Sequence, residues 1–481
     1  MFQKYREREL SEKGQERKTS PGREGAVTPC SVRDAYVLGL KLIRVRKFPW
    51  ETRVEVGGIP LFRLEHSPYK TCLRLGKLEL FKLRRSGSET GMSDGPLFLE
   101  GKSETRRLFW NIGSLAFKDE VSGVARVAKS LLPPLMAGAL FEVYPVYTSG
   151  KYGGYVYAHD YVQGVMGNVD GALDTPVIFR NGDILLSPIP DVKEVETHFC
   201  ALKTLQCRGV KILFLVHDLI PLQHPEFCPE AFRNEFARWL PMISRFDGVL
   251  TVSAVVADEY RAWRKENIES NVPFFVDWFH LGADMEKRFP GRGLPSCASS
   301  VLSAMSLRPT FLSVSTLEPR KGYGQSLAAF ERLWAGGCDV NFVIVGRQGW
   351  EADTLAAKIE RHPEMGRRLF WLRGVGDEVL DRLYTAADCV LFASEAEGFG
   401  LAVVEGAAHG RPLVLRDLPV FREIAGDGAT YFSGRSAEVL ADCLKDWLHR
   451  REKGDVMSSE NIRVLSWDES ANMLLSRLTE S

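Results

Sequence analysis

The chain has 481 residues, 45% of them hydrophobic, and carries 62 Lys and Arg against 62 Asp and Glu. That length exceeds the roughly 250 to 300 residues that one core serves, so at least two domains are expected, and the balanced charge argues against wholesale nucleic-acid binding. Nine cysteines, from Cys30 to Cys443, include no Cys-x-x-Cys pair, which predicts free thiols, no structural zinc and a reducing compartment. No apolar run reaches membrane-spanning length, and Met1 to Arg8 lacks the apolar core of a secretory signal, so a cytoplasmic location is expected.

Residues 1–30 are charged and polar without periodicity, which predicts a disordered tail. Residues 31–90 are net basic and contain a repeat: Leu40-Lys-Leu-Ile-Arg-Val45, Ile59-Pro-Leu-Phe-Arg-Leu64 and Leu78-Glu-Leu-Phe-Lys-Leu83 start 19 residues apart. Each copy alternates apolar residues with cations behind a glycine, as short strands entered by turns do, so a small antiparallel meander is expected. Residues 91–106 follow a stretch rich in Ser and Gly and read as a linker.

Ser122-Gly-Val-Ala-Arg126 reads as a helix start at which Gly123 would let the backbone approach a phosphate or an acceptor. Lys211-Ile-Leu-Phe-Leu-Val216 is an apolar strand that delivers His217 and Asp218 to its carboxyl end, where open α/β sheets place ligands. Pro290, Gly291, Gly293 and Pro295 mark a link to a second half. There, Phe311-Leu-Ser-Val-Ser-Thr-Leu-Glu-Pro-Arg-Lys-Gly322 is a strand running into Glu318, Arg320 and Lys321. Val340 to Gly346 is a second buried strand that ends in glycine, and Trp371 to Tyr384 is a passage from strand to helix. Cys389-Val-Leu-Phe-Ala-Ser394 is short, apolar and bounded by polar residues, as buried parallel strands are. After it, Glu397 and Glu405 flank the turn Gly398-Phe399-Gly400, and Leu401 opens a helix whose free amides face the crevice above the strand ends. Val464 to Leu478 reads as an amphipathic helix entered at Ser466.

The frame Ser394-Glu-Ala-Glu-Gly-Phe-Gly-Leu401 with Glu405 resembles the donor-site signature of retaining family-4-type glycosyltransferases, the glycosyl transferases group 1 with the GT-B fold. Glu318-Pro-Arg-Lys321, the Pro412 to Glu423 segment, His217-Asp-Leu-Ile-Pro221 and Ser122-Gly-Val-Ala-Arg126 match further segments of a mannosyltransferase-like subgroup, as do Gly248 to Ser253 and Trp278 to Asp284. The resemblance implies an α/β architecture of two Rossmann-like domains facing a cleft, at 107–300 and 301–464. The tail, β-repeat extension (31–90) and linker (91–106) precede them, and 465–481 crosses back to the first domain.

The implied activity is retaining transfer of a sugar from a nucleotide-sugar donor to a hydroxyl of a glycan or lipid-linked acceptor in surface polysaccharide synthesis, with no cofactor and no metal. Glu397 would contact the transferred sugar and Glu405 the ribose. Gly346, Gly398, Phe399, Gly400 and Leu401 would hold the rest of the donor. Arg320 and Lys321 would stabilise the leaving diphosphate, His217 would be catalytic or positional, and Gly123, Arg126 and Asp218 would serve the acceptor or phosphate side. Ala402 stands where many relatives carry proline, a change at the helix start that removes no polar group. The basic front segment is expected to touch an anionic membrane from the cytoplasmic side. A nucleotide-sugar 2-epimerase of the same fold and a non-catalytic carbohydrate-binding subunit are the alternative readings.

Overall fold

The computed structural model describes backbone strands within 31–102 and residues 106–117, 122–149, 154–159, 161–162, 175–270, 272–284 and 296–480. The expected tail at 1–30 and the link at 290–295 lie outside these residues. The repeat forms six antiparallel strands in sequence order, β1 (Ser31–Val37), β2 (Leu40–Lys47), β3 (Glu51–Val56), β4 (Ile59–His66), β5 (Lys70–Leu75) and β6 (Leu78–Arg84). Each repeat copy is the second strand of a hairpin. The register shifts once per hairpin, at Ala35/Tyr36, Val54/Glu55 and Leu73/Arg74, so the repeat unit is a bulged hairpin rather than a single strand. Arg46 pairs with Arg53, Arg53 with Arg63, and Arg63 with Arg74, so four arginines occupy one row across β2 to β5.

The expected linker is corrected by β7 (Leu97–Lys102), whose apolar start pairs in parallel with β11 (Ile178–Asn181). The first large sheet takes β8 (Arg107–Asn111), β9 (Glu142–Ser149), β10 (Gly154–Tyr157), β12 (Ile184–Ser187), β13 (Lys211–Val216), β14 (Gly248–Thr251) and β15 (Phe275–Trp278) in the order β10-β9-β8-β12-β13-β14-β15. All its neighbours are parallel except β10 with β9. The second sheet is wholly parallel in the order β18-β17-β16-β19-β20-β21, with β16 (Thr310–Val314), β17 (Asn341–Val345), β18 (Leu369–Leu372), β19 (Cys389–Phe392), β20 (Leu413–Arg416) and β21 (Thr430–Phe432). β17 and β19, which flank β16, are buried along their whole length, which is why they read as apolar runs.

In each sheet the winding reverses direction once, between β8 and β12 and between β16 and β19. Crevices open at the carboxyl ends of strands that diverge in this way. The helix Ser296–Met305 straddles the expected boundary at 300/301 but packs with the second sheet, against the helix Asp377–Ala386 and through Asn341 Nδ2, which donates to the Ala304 carbonyl at 2.9 Å.

The C-terminal helix Trp467–Glu480 opens with a reciprocal cap, Glu469 N donating to Ser466 Oγ at 3.1 Å and Ser466 N to Glu469 Oε2 at 2.8 Å. It returns to the first sheet's side of the molecule. Its Trp467 amide donates to Asp284 at 2.6 Å, Ser470 Oγ donates to the His280 carbonyl at 2.7 Å, and the helix packs on the helix Gly123–Ala137.

Candidate donor site in the interdomain cleft

β16 ends at Val314, and the chain runs on through Ser315 and Leu317 into a tight turn, Pro319–Lys321, followed by Gly322 at φ 67°. A Cβ on Gly322 would lie 2.1 Å from the Ala393 carbonyl oxygen at the end of β19. Glycine is therefore what lets this turn close on the neighbouring strand, and Glu395 N pins it by donating to the Arg320 carbonyl at 2.7 Å. Gly346 plays the same part at the end of β17: at φ 153° its Cβ would meet the Ser315 carbonyl at 1.9 Å. The ends of β16, β17 and β19 thus converge at the reversal point.

Convergence brings the charges together. Arg320 Nη1 donates to Glu397 Oε2 at 3.0 Å and to the Ala396 carbonyl at 3.1 Å, and Lys321 Nζ donates to Glu397 Oε1. Arg320 Nε also sits 3.3 Å from Glu318 Oε2. Burial on its own would raise the Glu397 carboxyl, but Lys321 and Arg320 overcome it and hold the group at about 2. Burial and the neighbouring Arg320 lower Lys321, with Glu397 opposing them. Burial disfavours the Arg320 guanidinium, yet Glu397, Asp218 and Glu318 raise its pKa.

Gly400, at φ 101°, starts the helix Leu401–Ala408, on which Glu405 is buried. Glu405 Oε2 accepts from the Tyr384 hydroxyl at 2.8 Å, and Oε1 lies 2.8 Å from Arg126 Nη1. Arg126 comes from the other wall, on the first turn of the helix Gly123–Ala137, whose N-cap Ser122 accepts from Ala125 N at 3.1 Å. Glu405 raises the Arg126 pKa against burial, with Asp377 and Tyr384 adding to it.

After β13, burial lowers the His217 pKa, with the Pro188 carbonyl and Asp218 opposing it; Nε2 lies 2.9 Å from the Pro188 carbonyl and donates to it, which leaves Nδ1 as the acceptor nitrogen of the neutral ring. Asp218 Oδ1 accepts from Ile220 N at 3.1 Å. The two walls touch at Gly398, where a Cβ would fall 1.9 Å from the His217 carbonyl oxygen, and Ser253 Oγ donates to the Gly398 carbonyl at 2.8 Å.

All the residues singled out from the sequence, Gly123, Arg126, His217, Asp218, Arg320, Lys321, Gly346, Glu397, Gly398, Phe399, Gly400, Leu401 and Glu405, line one cleft of about 1580 Å³. Sequence reasoning missed others. Tyr384 supports Glu405, Ser253 holds the Gly398 loop, and Trp350 and Phe232 line the cleft. Glu423 accepts from Ala254 N at 2.7 Å and Val255 N at 2.8 Å while pairing with His280 Nε2 at 2.7 Å, joining the second domain to a helix start of the first. None of these has a local signal, because each contact joins segments far apart in the chain.

Residues 303–464 match the family model described as glycosyl transferases group 1. The chain is similar to the serotype-specific mannosyltransferase WbdA of Escherichia coli, with 39% identity over 384 residues that cover 78% of this chain and 47% of that protein. It therefore spans about half the length of that relative. The O-antigen chain mannosyltransferase B of Escherichia coli is 35% identical over 134 residues, 27% of this chain and 34% of that one. Among solved structures, Anabaena HepE in complex with UDP and glucose superposes with a TM-score of 0.53 at 13% identity, over 78% of this chain and 100% of that chain, a likeness of fold. The domain that carries Arg320, Lys321, Glu397 and Glu405 is thus similar to the glycosyl transferases group 1, and two parallel sheets facing one cleft give the chain the GT-B fold.

Proposed function

We propose that the protein transfers a hexose from a nucleotide-sugar donor to a hydroxyl of a glycan or lipid-linked acceptor, with retention at the anomeric carbon, in the assembly of a surface polysaccharide. The similarity to two mannosyltransferases makes mannose the first sugar to test. The observation that carries the reading is the joint contact of Arg320 and Lys321 with Glu397 at the reversal point of the second sheet.

In this reading the donor diphosphate lies beside Arg320 and Lys321, and Glu397 contacts the sugar it carries. As the bond from the anomeric carbon to the phosphate oxygen breaks, negative charge builds on the diphosphate, and the two cations are already in place to stabilise it. The acceptor oxygen bonds to the anomeric carbon on the same face, and its proton passes to the departing phosphate oxygen. No metal is required, because Arg320 and Lys321 supply the positive charge. Neutral His217 positions sugar or acceptor through Nδ1. Phe227, Phe232 and Phe236 give the first-domain wall an apolar surface against which an acceptor can pack.

We also propose that the enzyme works at the cytoplasmic face of a membrane, touching anionic lipid through the N-terminal sheet. Residues 31–90 are net basic, which supports contact with an anionic surface.

Steady-state turnover with candidate nucleotide sugars tests the central reading. Arg320→Ala and Lys321→Ala should each lower kcat by about a hundredfold to a thousandfold, the usual effect of losing one preorganised charge-stabilising group. Near-normal turnover in both variants would sink the assignment.

A further inference from the structure

Glu405, to which the family resemblance assigns the donor ribose, already has both its oxygens engaged. Oε2 takes the Tyr384 hydroxyl and Oε1 takes Arg126 from the opposite wall, each at 2.8 Å. Each oxygen keeps a second lone pair, but the Glu405 side chain is only 2% exposed, so no ribose hydroxyl reaches it while Arg126 stays. The ion pair and a seated ribose therefore exclude one another.

A guanidinium drawn off its carboxylate inside a cleft needs another anion nearby, because an uncompensated partly buried charge is costly. The donor brings one in its diphosphate. Space exists for it beside Arg126, since a Cβ on Gly123 at the start of the same helix would meet nothing within 4 Å. Asp377 also faces the guanidinium and is the competing landing point.

We propose that Arg126 fills the ribose seat in the empty cleft and that donor binding transfers its guanidinium from Glu405 to the diphosphate. This rests on the nucleotide-sugar reading above. The exchange makes Arg126 a filter for the whole donor. A nucleoside alone must break the Arg126–Glu405 pair without replacing it, whereas a nucleoside diphosphate breaks the pair and offers the cation a new partner. The same pair bridges the two walls, so it also holds the ligand-free cleft closed.

Calorimetric titration of the full chain with guanosine, uridine, GDP and UDP, combined with small-angle scattering of the ligand-free protein, tests both halves. Removing the competitor in Arg126→Ala should tighten nucleoside binding about tenfold and weaken binding of the matching diphosphate about tenfold, the weight of roughly one charged hydrogen bond in each direction. The ligand-free variant should scatter as a more open particle, and Arg126→Lys, which keeps a cation, should recover much of the diphosphate affinity. Equal weakening of nucleoside and diphosphate would overturn the exchange, since Arg126 would then touch the nucleoside itself. An unchanged diphosphate affinity would overturn the transfer to phosphate and assign the cation to Asp377. If the wild-type chain bound none of the four ligands, the nucleotide-sugar reading would fail, and an unchanged scattering radius in Arg126→Ala would separately overturn the bridging pair.

Discussion

Glu397 is a carboxylate whose ionisation depends on its two cations. Burial would keep it protonated, and Lys321 with Arg320 reverse that, holding it at about 2. A group whose folded pKa lies below its unfolded value adds stability above the unfolded pKa and loses it as pH falls through the folded one. At pH 7, Glu397→Gln should therefore be less stable than wild type, because Lys321 and Arg320 lose their counter-charge. The gap should narrow as pH falls from about 4.3, the ordinary glutamate value, towards the folded-state value of about 2. Urea unfolding of both proteins across that range checks it, and a gap that stays constant from pH 7 down to the acid end would show that the ion pairs are not the source.

The loop from Ser394 to Gly400 is the element in which two demands meet. It must turn sharply into the helix Leu401–Ala408, hence Gly400 at φ 101°, and it must pass under the first domain, hence Gly398 against His217. Gly398→Ala would put a Cβ 1.9 Å from the His217 carbonyl oxygen and strain the Ser253 hydrogen bond. The walls would have to part by a fraction of an ångström to an ångström. Displacements of that order cost about a hundredfold in rate, so kcat should fall by about that factor while the far-ultraviolet circular dichroism stays wild-type. Wild-type turnover in Gly398→Ala would mean that the two walls do not meet at this loop during catalysis.

This element also shows what could be read from the sequence. Gly398, Gly400, Glu397 and Glu405 were legible because a strand, a tight turn and a helix start occupy a dozen consecutive residues, each with its own chemical requirement. Ser253 and Glu423 were not. Their contacts span 145 and up to 169 residues and arise only when the two domains dock. Tyr384 was quoted only as the end of a passage from strand to helix, since nothing local shows that its hydroxyl meets a carboxylate 21 residues on. The helix Ser296–Met305, which straddles the expected boundary at 300/301, has few distinguishing residues, and its packing on the helix Asp377–Ala386 is likewise not local.

For the molecule as a whole, the doubly wound sheets were legible from alternating apolar strands and helices, and the front repeat from its period. The hairpin unit was not, because the first strand of each pair has a weaker apolar alternation than the second. Among the described residues, no helix is long and apolar enough to cross a membrane, and the proposed membrane contact is assigned to the N-terminal sheet. Deleting residues 1–90 should leave nucleotide binding intact but reduce salt-sensitive sedimentation with acidic liposomes, since cations near an anionic leaflet contribute about 1 kcal/mol each and salt screens them. Undiminished liposome binding by the truncated chain would remove the sheet from that role.

The most direct test of the account is the anomeric configuration of the product. The full chain would be incubated with GDP-mannose or another sugar nucleotide that it binds, together with a glycan acceptor, and the new linkage read by one-bond carbon–proton coupling in the nuclear magnetic resonance spectrum. The account predicts release of the nucleoside diphosphate and a new glycosidic bond with the same anomeric configuration as the donor sugar, both slowed by about a hundredfold or more in Lys321→Ala. An inverted linkage would contradict retention, and epimerisation of the donor with no acceptor consumed would contradict transfer itself.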